Sequence, residues 1–109
     1  MDVHVEQSET YVLLRPVGDV DLSTSRELQV SIKDLMRAKP SRVVVDLCEV
    51  PYMDSSGVAT LVEGMQIARK QSTDLVLAGM QDKVRSIFEI ARLDRVFRIV
   101  DTVDEVSAG

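Results

Sequence analysis

Five consecutive residues, Met53-Asp54-Ser55-Ser56-Gly57, set a carboxylate beside two hydroxyls and form the most chemically distinctive stretch of the chain. Four roles compete for such groups. Asp or Ser at a helix N-cap accepts hydrogen bonds from free backbone N–H groups, worth about 1 kcal/mol, and a nearby Gly eases a tight entry. On residue types alone, capping is the commonest use. A nucleophilic serine instead needs a base within hydrogen-bond reach. The one histidine, His4, belongs to an amino-terminal strand. Lys70 follows Ser55 on the same predicted helix at about 22 Å, from a rise of ~1.5 Å per residue. Lys83 sits in another loop, with nothing in the sequence to give it the burial that a basic lysine requires. The flanks also depart from the Gly-x-Ser-x-Gly elbow of the α/β-hydrolases. A phosphate cradle would need more glycines and a following Walker-type lysine. Metal binding by Asp19, Asp21 and Asp54 fits the residue type, but three exposed aspartates more often serve as solvated loop and cap residues.

The elements that must position these groups are legible from periodicity. Val3–Glu6 alternates apolar and polar, and Tyr11–Val17 is a denser apolar run, so Gln7–Thr10 is read as the turn between two strands. Gly18 closes the second strand. A helix follows with Leu28, Ile32, Leu35 and Met36 on one face; Thr24 with Glu27 three residues later fits a capping box, and Pro40 is a stop. Arg42–Leu47 contains three consecutive valines, the signature of a central parallel strand covered on both faces. After a loop at Glu49–Asp54, a second helix turns Val58, Leu61, Val62, Met65 and Ala68 inward and ends near Gln71. Leu75–Ala78 is a short buried strand. A third helix carries Val84, Ile87, Phe88 and Ala91 on one stripe, followed by a strand at Val96–Val100 and a short polar tail. The predicted order is β-β-α-β-α-β-α-β: an α/β fold, a mixed sheet of four to five strands packed against helices, in a single domain over residues 1–109.

In parallel β-α units the strand-to-helix loops emerge at one edge of the sheet. Gly18–Thr24, Cys48–Gly57 and Gly79–Lys83 should therefore meet there. Their five carboxylates, Asp19, Asp21, Glu49, Asp54 and Asp82, against Lys83 give that edge a formal charge of −4. Anions should be repelled.

Composition narrows the field further. The chain has 109 residues, 45% of them apolar and 28% charged, which suits one folded core rather than a disordered segment. Thirteen Lys plus Arg against eighteen Asp plus Glu leave a net charge of −5, the wrong sign for a nucleic-acid binder. One cysteine, Cys48, allows no internal disulfide, so a cytoplasmic location is expected. No stretch approaches the ~20 apolar residues that span a bilayer, and the first residues lack a signal-peptide pattern, so membrane insertion is not expected. Aromatic content is 4% with no Trp, too little for stacking platforms.

The stretch Val43–Leu61, a buried strand and a loop leading to Met-Asp-Ser-Ser-Gly at a helix start, resembles the signature of the STAS domain, named for sulfate transporters and anti-sigma factor antagonists. Gly18-Asp19-Val20-Asp21 is similar to that family's Gly-x-x-Asp element after its second strand, and the likeness covers nearly the whole chain. Val58-Ala59 stands where Leu-Gly is common, a mild change for the helix. The resemblance implies a stand-alone anti-sigma factor antagonist without catalytic activity, cofactor or bound metal. Its phosphorylation site would be Ser55. Its partner would be an anti-sigma factor with serine kinase activity, captured when Ser55 is unphosphorylated and released when phosphate is added; a metal-dependent serine phosphatase would restore capture. Asp21, Thr24, Asp54, Ser56 and Gly57 would form the partner-binding surface. The same resemblance leaves open a sensory or transporter-accessory STAS module that binds a small ligand or a membrane component. A small Ser-dependent hydrolase is the alternative from another class.

Overall fold

Val43, Val44 and Val45 are all buried, and they lie in the middle strand of a five-stranded sheet. This is seen in a computed structural model that describes the backbone of residues 1–108 and the side chains of residues 1–106. The strands are β1 (Asp2–Gln7), β2 (Val12–Val17), β3 (Arg42–Asp46), β4 (Asp74–Ala78) and β5 (Arg98–Val100), in the spatial order β1-β2-β3-β4-β5. β1 runs antiparallel to β2, and every later pair is parallel. The register aligns Leu14 with Val45, Val43 with Leu75, and Val45 with Leu77, so one pleat face is continuously apolar.

Three helices lie on that face: α1 (Ser25–Arg37), α2 (Ser55–Lys70) and α3 (Asp82–Ile90). Moving one strand at a time in the same direction with right-handed crossovers leaves the connecting helices nowhere else to go. Leu28, Ile32 and Met36 of α1, Leu61 and Ala68 of α2, and Val84 and Phe88 of α3 pack in one cluster with the inward residues of β2, β3 and β4. Phe88 meets Phe97 edge to face, with ring centroids 5.6 Å apart. Each such fully buried side chain contributes about 1.5–3 kcal/mol of transfer free energy.

The opposite face is covered by an element that the sequence reading missed. Residues expected to be a polar tail form α4 (Val103–Ala108), and Val106 packs against Val44, Val76 and Ala78, with Val103 beside them. This helix supplies the second cover over the three valines of β3. Other differences are local. Thr24 is the N-cap of α1 but makes no side-chain cap bond. Its hydroxyl donates to the Asp19 carbonyl (2.8 Å) and accepts from the Asp21 N–H (3.0 Å), while Glu27 pairs with the Met1 amino group (2.5 Å). The capping box therefore does not form, because both of its side chains have stronger local claims. Ala91, expected on the inward stripe of the third helix, is its exposed C-cap, since α3 ends at Ile90. A short 3₁₀ turn at Leu93–Arg95 then delays β5 to Arg98.

Candidate functional site

Two loops close over the same edge of the sheet and are joined to each other. Val20 and Met53 form an isolated parallel bridge: the Val20 N–H donates to the Tyr52 carbonyl (2.9 Å) and the Asp54 N–H to the Val20 carbonyl (3.0 Å). Two residues earlier in the first loop, the Gly18 N–H donates to the Glu49 carbonyl (2.9 Å). Gly18 makes that turn at φ +101°, where any side chain would be strained. The β2–α1 and β3–α2 loops are thus a single hydrogen-bonded platform, with Val20 and Met53 sealed beneath it.

Asp54 sits at the centre of that platform. It is the N-cap of α2, and its Oδ1 accepts from the Ser56 N–H (2.9 Å), the Gly57 N–H (3.4 Å) and the Ser56 hydroxyl (2.5 Å). Its Oδ2 accepts from the Leu22 N–H (3.2 Å) in the other loop. These donors, the Ser56 hydroxyl foremost, hold its carboxyl below the usual aspartate range. Asp21 plays the matching part within its own loop. Its Oδ1 accepts from the Ser23 hydroxyl (2.6 Å) and N–H (2.9 Å), which together lower its pKa, and its carbonyl accepts from the N–H groups of Thr24 and Ser25.

Ser55 is the first residue of α2 and is exposed. Its hydroxyl makes no hydrogen bond among the described residues, whereas the neighbouring Ser56 hydroxyl is half-buried and committed to Asp54. Gly57, expected among the partner-contacting residues, is buried: a Cβ there would lie 2.6 Å from Met53 Cγ and 2.8 Å from Val20 Cγ1. Its absent side chain is what lets α2 approach the bridged loops so closely. Thr24 is half-buried and ties Asp19 to Asp21. The six residues singled out by sequence therefore meet at one edge, with Ser55 outermost and Gly57 underneath.

Beside them lies apolar surface that the sequence reading did not single out. Leu22 is 82% exposed and Tyr52 is 49% exposed, one in each bridged loop. An apolar residue inside a polar loop segment was the available signal. Asp19, Glu49, Asp82 and Lys83 are exposed at the same edge. Among the described residues, no three His, Cys, Asp or Glu side chains converge as metal ligands. Cys48 is exposed as a residue, while partial desolvation of its thiol, followed by the nearby Asp46 carboxylate, pushes the thiol pKa up. His4 lies on the outer strand β1, opposite Arg15.

The STAS-domain family model matches residues 2–106. This chain belongs to the STAS-domain family. The STAS chain is 26% identical over 111 residues to an anti-sigma-B factor antagonist of Listeria monocytogenes, covering 100% of this chain and 96% of the relative. It is 21% identical to the anti-sigma-B factor antagonist of Staphylococcus aureus over 91% of this chain and 92% of that protein. Its fold is similar to a crystal structure of an anti-sigma factor antagonist from Thermotoga maritima, with TM-score 0.92 at 18% identity over 97% of this chain and 92% of the other. It is also similar to the Bacillus cell fate determinant SpoIIAA in its phosphorylated form, with TM-score 0.75 at 17% identity over 98% and 96% of the two chains. Within the described residues, no helix of this STAS domain is long and apolar enough to cross a membrane.

Proposed function

We propose that this STAS domain is a phosphorylation-switched anti-sigma factor antagonist: a protein-interaction module of the cytoplasm, without catalysis of its own, that regulates transcription by capturing an anti-sigma factor. The observation that carries the reading is the free, exposed Ser55 hydroxyl at the mouth of α2, beside a Ser56 hydroxyl and an Asp54 carboxylate that are already paired with each other. The relatives named as anti-sigma-B factor antagonists support the partner class. A kinase that transfers the γ-phosphoryl group of ATP to Ser55 Oγ, releasing ADP and the hydroxyl proton, meets no competing hydrogen bond. Ser56 would first have to break its bond to Asp54.

The fold tolerates the product. Phosphate adds about −1.5 to −2 units of charge, and at the first residue of a helix the free N–H groups and the macrodipole offset part of its cost. The cost falls at the contact with the partner: a phosphate group pressed into a close-packed interface excludes whatever donor or acceptor met the hydroxyl, and steric exclusion rather than charge alone breaks the capture. A 100-fold loss of affinity takes only about 2.7 kcal/mol, within reach of one modification without any change of fold. Hydrolysis of the phosphoserine by a metal-dependent serine phosphatase would return the hydroxyl and restore capture. Asp21, Thr24 and Ser56 act by holding the platform in shape around Asp54.

The test is affinity for the anti-sigma factor kinase of the same genome, measured by calorimetry alongside intact-mass analysis after incubation with that kinase and ATP. One phosphate should appear, mapped to Ser55, and none on Ser55→Ala. Ser55→Ala should bind as the unmodified chain does, and Ser55→Asp about 100-fold more weakly. Equal binding by the alanine and aspartate variants would remove the switch from the proposal.

A further inference from the structure

The platform that presents Ser55 also presents Leu22, and its backbone is fixed. Its N–H is held by Asp54 Oδ2, and the residue on each side of the following turn is tied down, with the Ser23 N–H and hydroxyl both on Asp21 Oδ1. A single exposed apolar side chain is ordinary on a protein surface. Leu22 differs in being held outward, 82% exposed, by the same carboxylate that caps the helix bearing Ser55. A side chain presented on an ordered backbone loses little further freedom on docking, which is the condition under which apolar contact converts into affinity.

We infer that Leu22 is the apolar anchor of the docking surface, entering a hydrophobic socket whose rim carries Lys or Arg side chains on the anti-sigma factor. The inference rests on the function proposed above. The rim follows from charge: Asp19, Asp21, Glu49 and Asp54 belong to the same two bridged loops as the anchor, so a basic border is steered toward it. The same acids argue against a second copy of this chain, which would present like charge to like, and against anionic lipid or nucleic acid.

The experiment measures association of the purified anti-sigma factor kinase of the same genome with the full chain by surface plasmon resonance at two salt concentrations. Leu22→Ala should weaken binding about tenfold, mainly through faster dissociation. Leu22→Met should stay within twofold of the parent, and Leu22→Asp should bind more weakly than Leu22→Ala. Ile90→Ala is the control, because Ile90 is 84% exposed but stands at the far end of α3, and it should leave binding unchanged. Raising salt should slow association of parent and Leu22→Ala alike. If Leu22→Ala binds as tightly as the parent while Ser55→Asp does not, the anchor is wrong and the switch stands. If the unmodified chain binds no such kinase, the proposed function fails and the anchor falls with it.

Discussion

Ser55 and Ser56 carry the same functional group one residue apart, and their surroundings differ because Asp54 accepts a hydrogen bond from only one of the two hydroxyls. Residue types could not separate them: either serine fits a helix start, and the family resemblance alone pointed to Ser55. The distinction needs the N-cap geometry, in which the second residue after the cap turns its hydroxyl back to the carboxylate. Asp54 also titrates in a way that can be measured. Its folded-state pKa lies below its unfolded value, so the stability it contributes is present above about pH 4 and is lost as pH falls through the folded value. Asp54→Ala should lower the urea midpoint at pH 7, and the gap from the parent should narrow steadily as the titration series is taken below pH 4. A gap that stays constant with pH would mean that the carboxylate's charge has no part in holding the cap. The absent capping box at Thr24 and Glu27 shows the limit of pattern matching at this scale. Both side chains are present at the right spacing, but Thr24 is engaged within its own loop and Glu27 by the Met1 amino group, which only the fold brings near.

Among the elements, the helix α2 seats on the bridged loops through a glycine. The family resemblance puts Gly57 on the contact surface, and its residue type suggests a tight helix entry, but only the fold shows that Met53 and Val20 are what it must clear. Gly57→Ala must push Met53 and Val20 aside, and overpacking of this kind costs about 1–3 kcal/mol. Chemical denaturation should register that loss; if the variant unfolds at the parent's midpoint, the contact is looser than it looks. The four longer strands and the three long helices were legible because each spans at least two periods of its own pattern. α4 was not, since six residues give less than two turns and only Val103 and Val106, spaced by three, mark its inner side between acids. The sheet residues it covers name no partner: the consecutive valines of β3 announce that both faces are covered, but not by what.

For the whole molecule, that second cover decides how much of the sheet is sealed. Val106 is 1% exposed against Val44, Val76 and Ala78, so Val106→Ala should cost about 2 kcal/mol and expose apolar surface detectable by dye binding at low urea. Unchanged stability would demote α4 to a loose appendage. Charge is also arranged along the molecule. The acidic loops stand where α2 begins, whereas Arg37, Arg69 and Lys70 occupy the last turns of α1 and α2, each sign placed where the helix dipole favours it. The order of the strands has a consequence of another kind. Spatial order repeats chain order from β1 to β5, so each strand, as it leaves the ribosome, finds its neighbour already made and waits for nothing downstream. The molecule can be assembled in the direction of its own synthesis, with α4, which follows β5, closing the face left open until then.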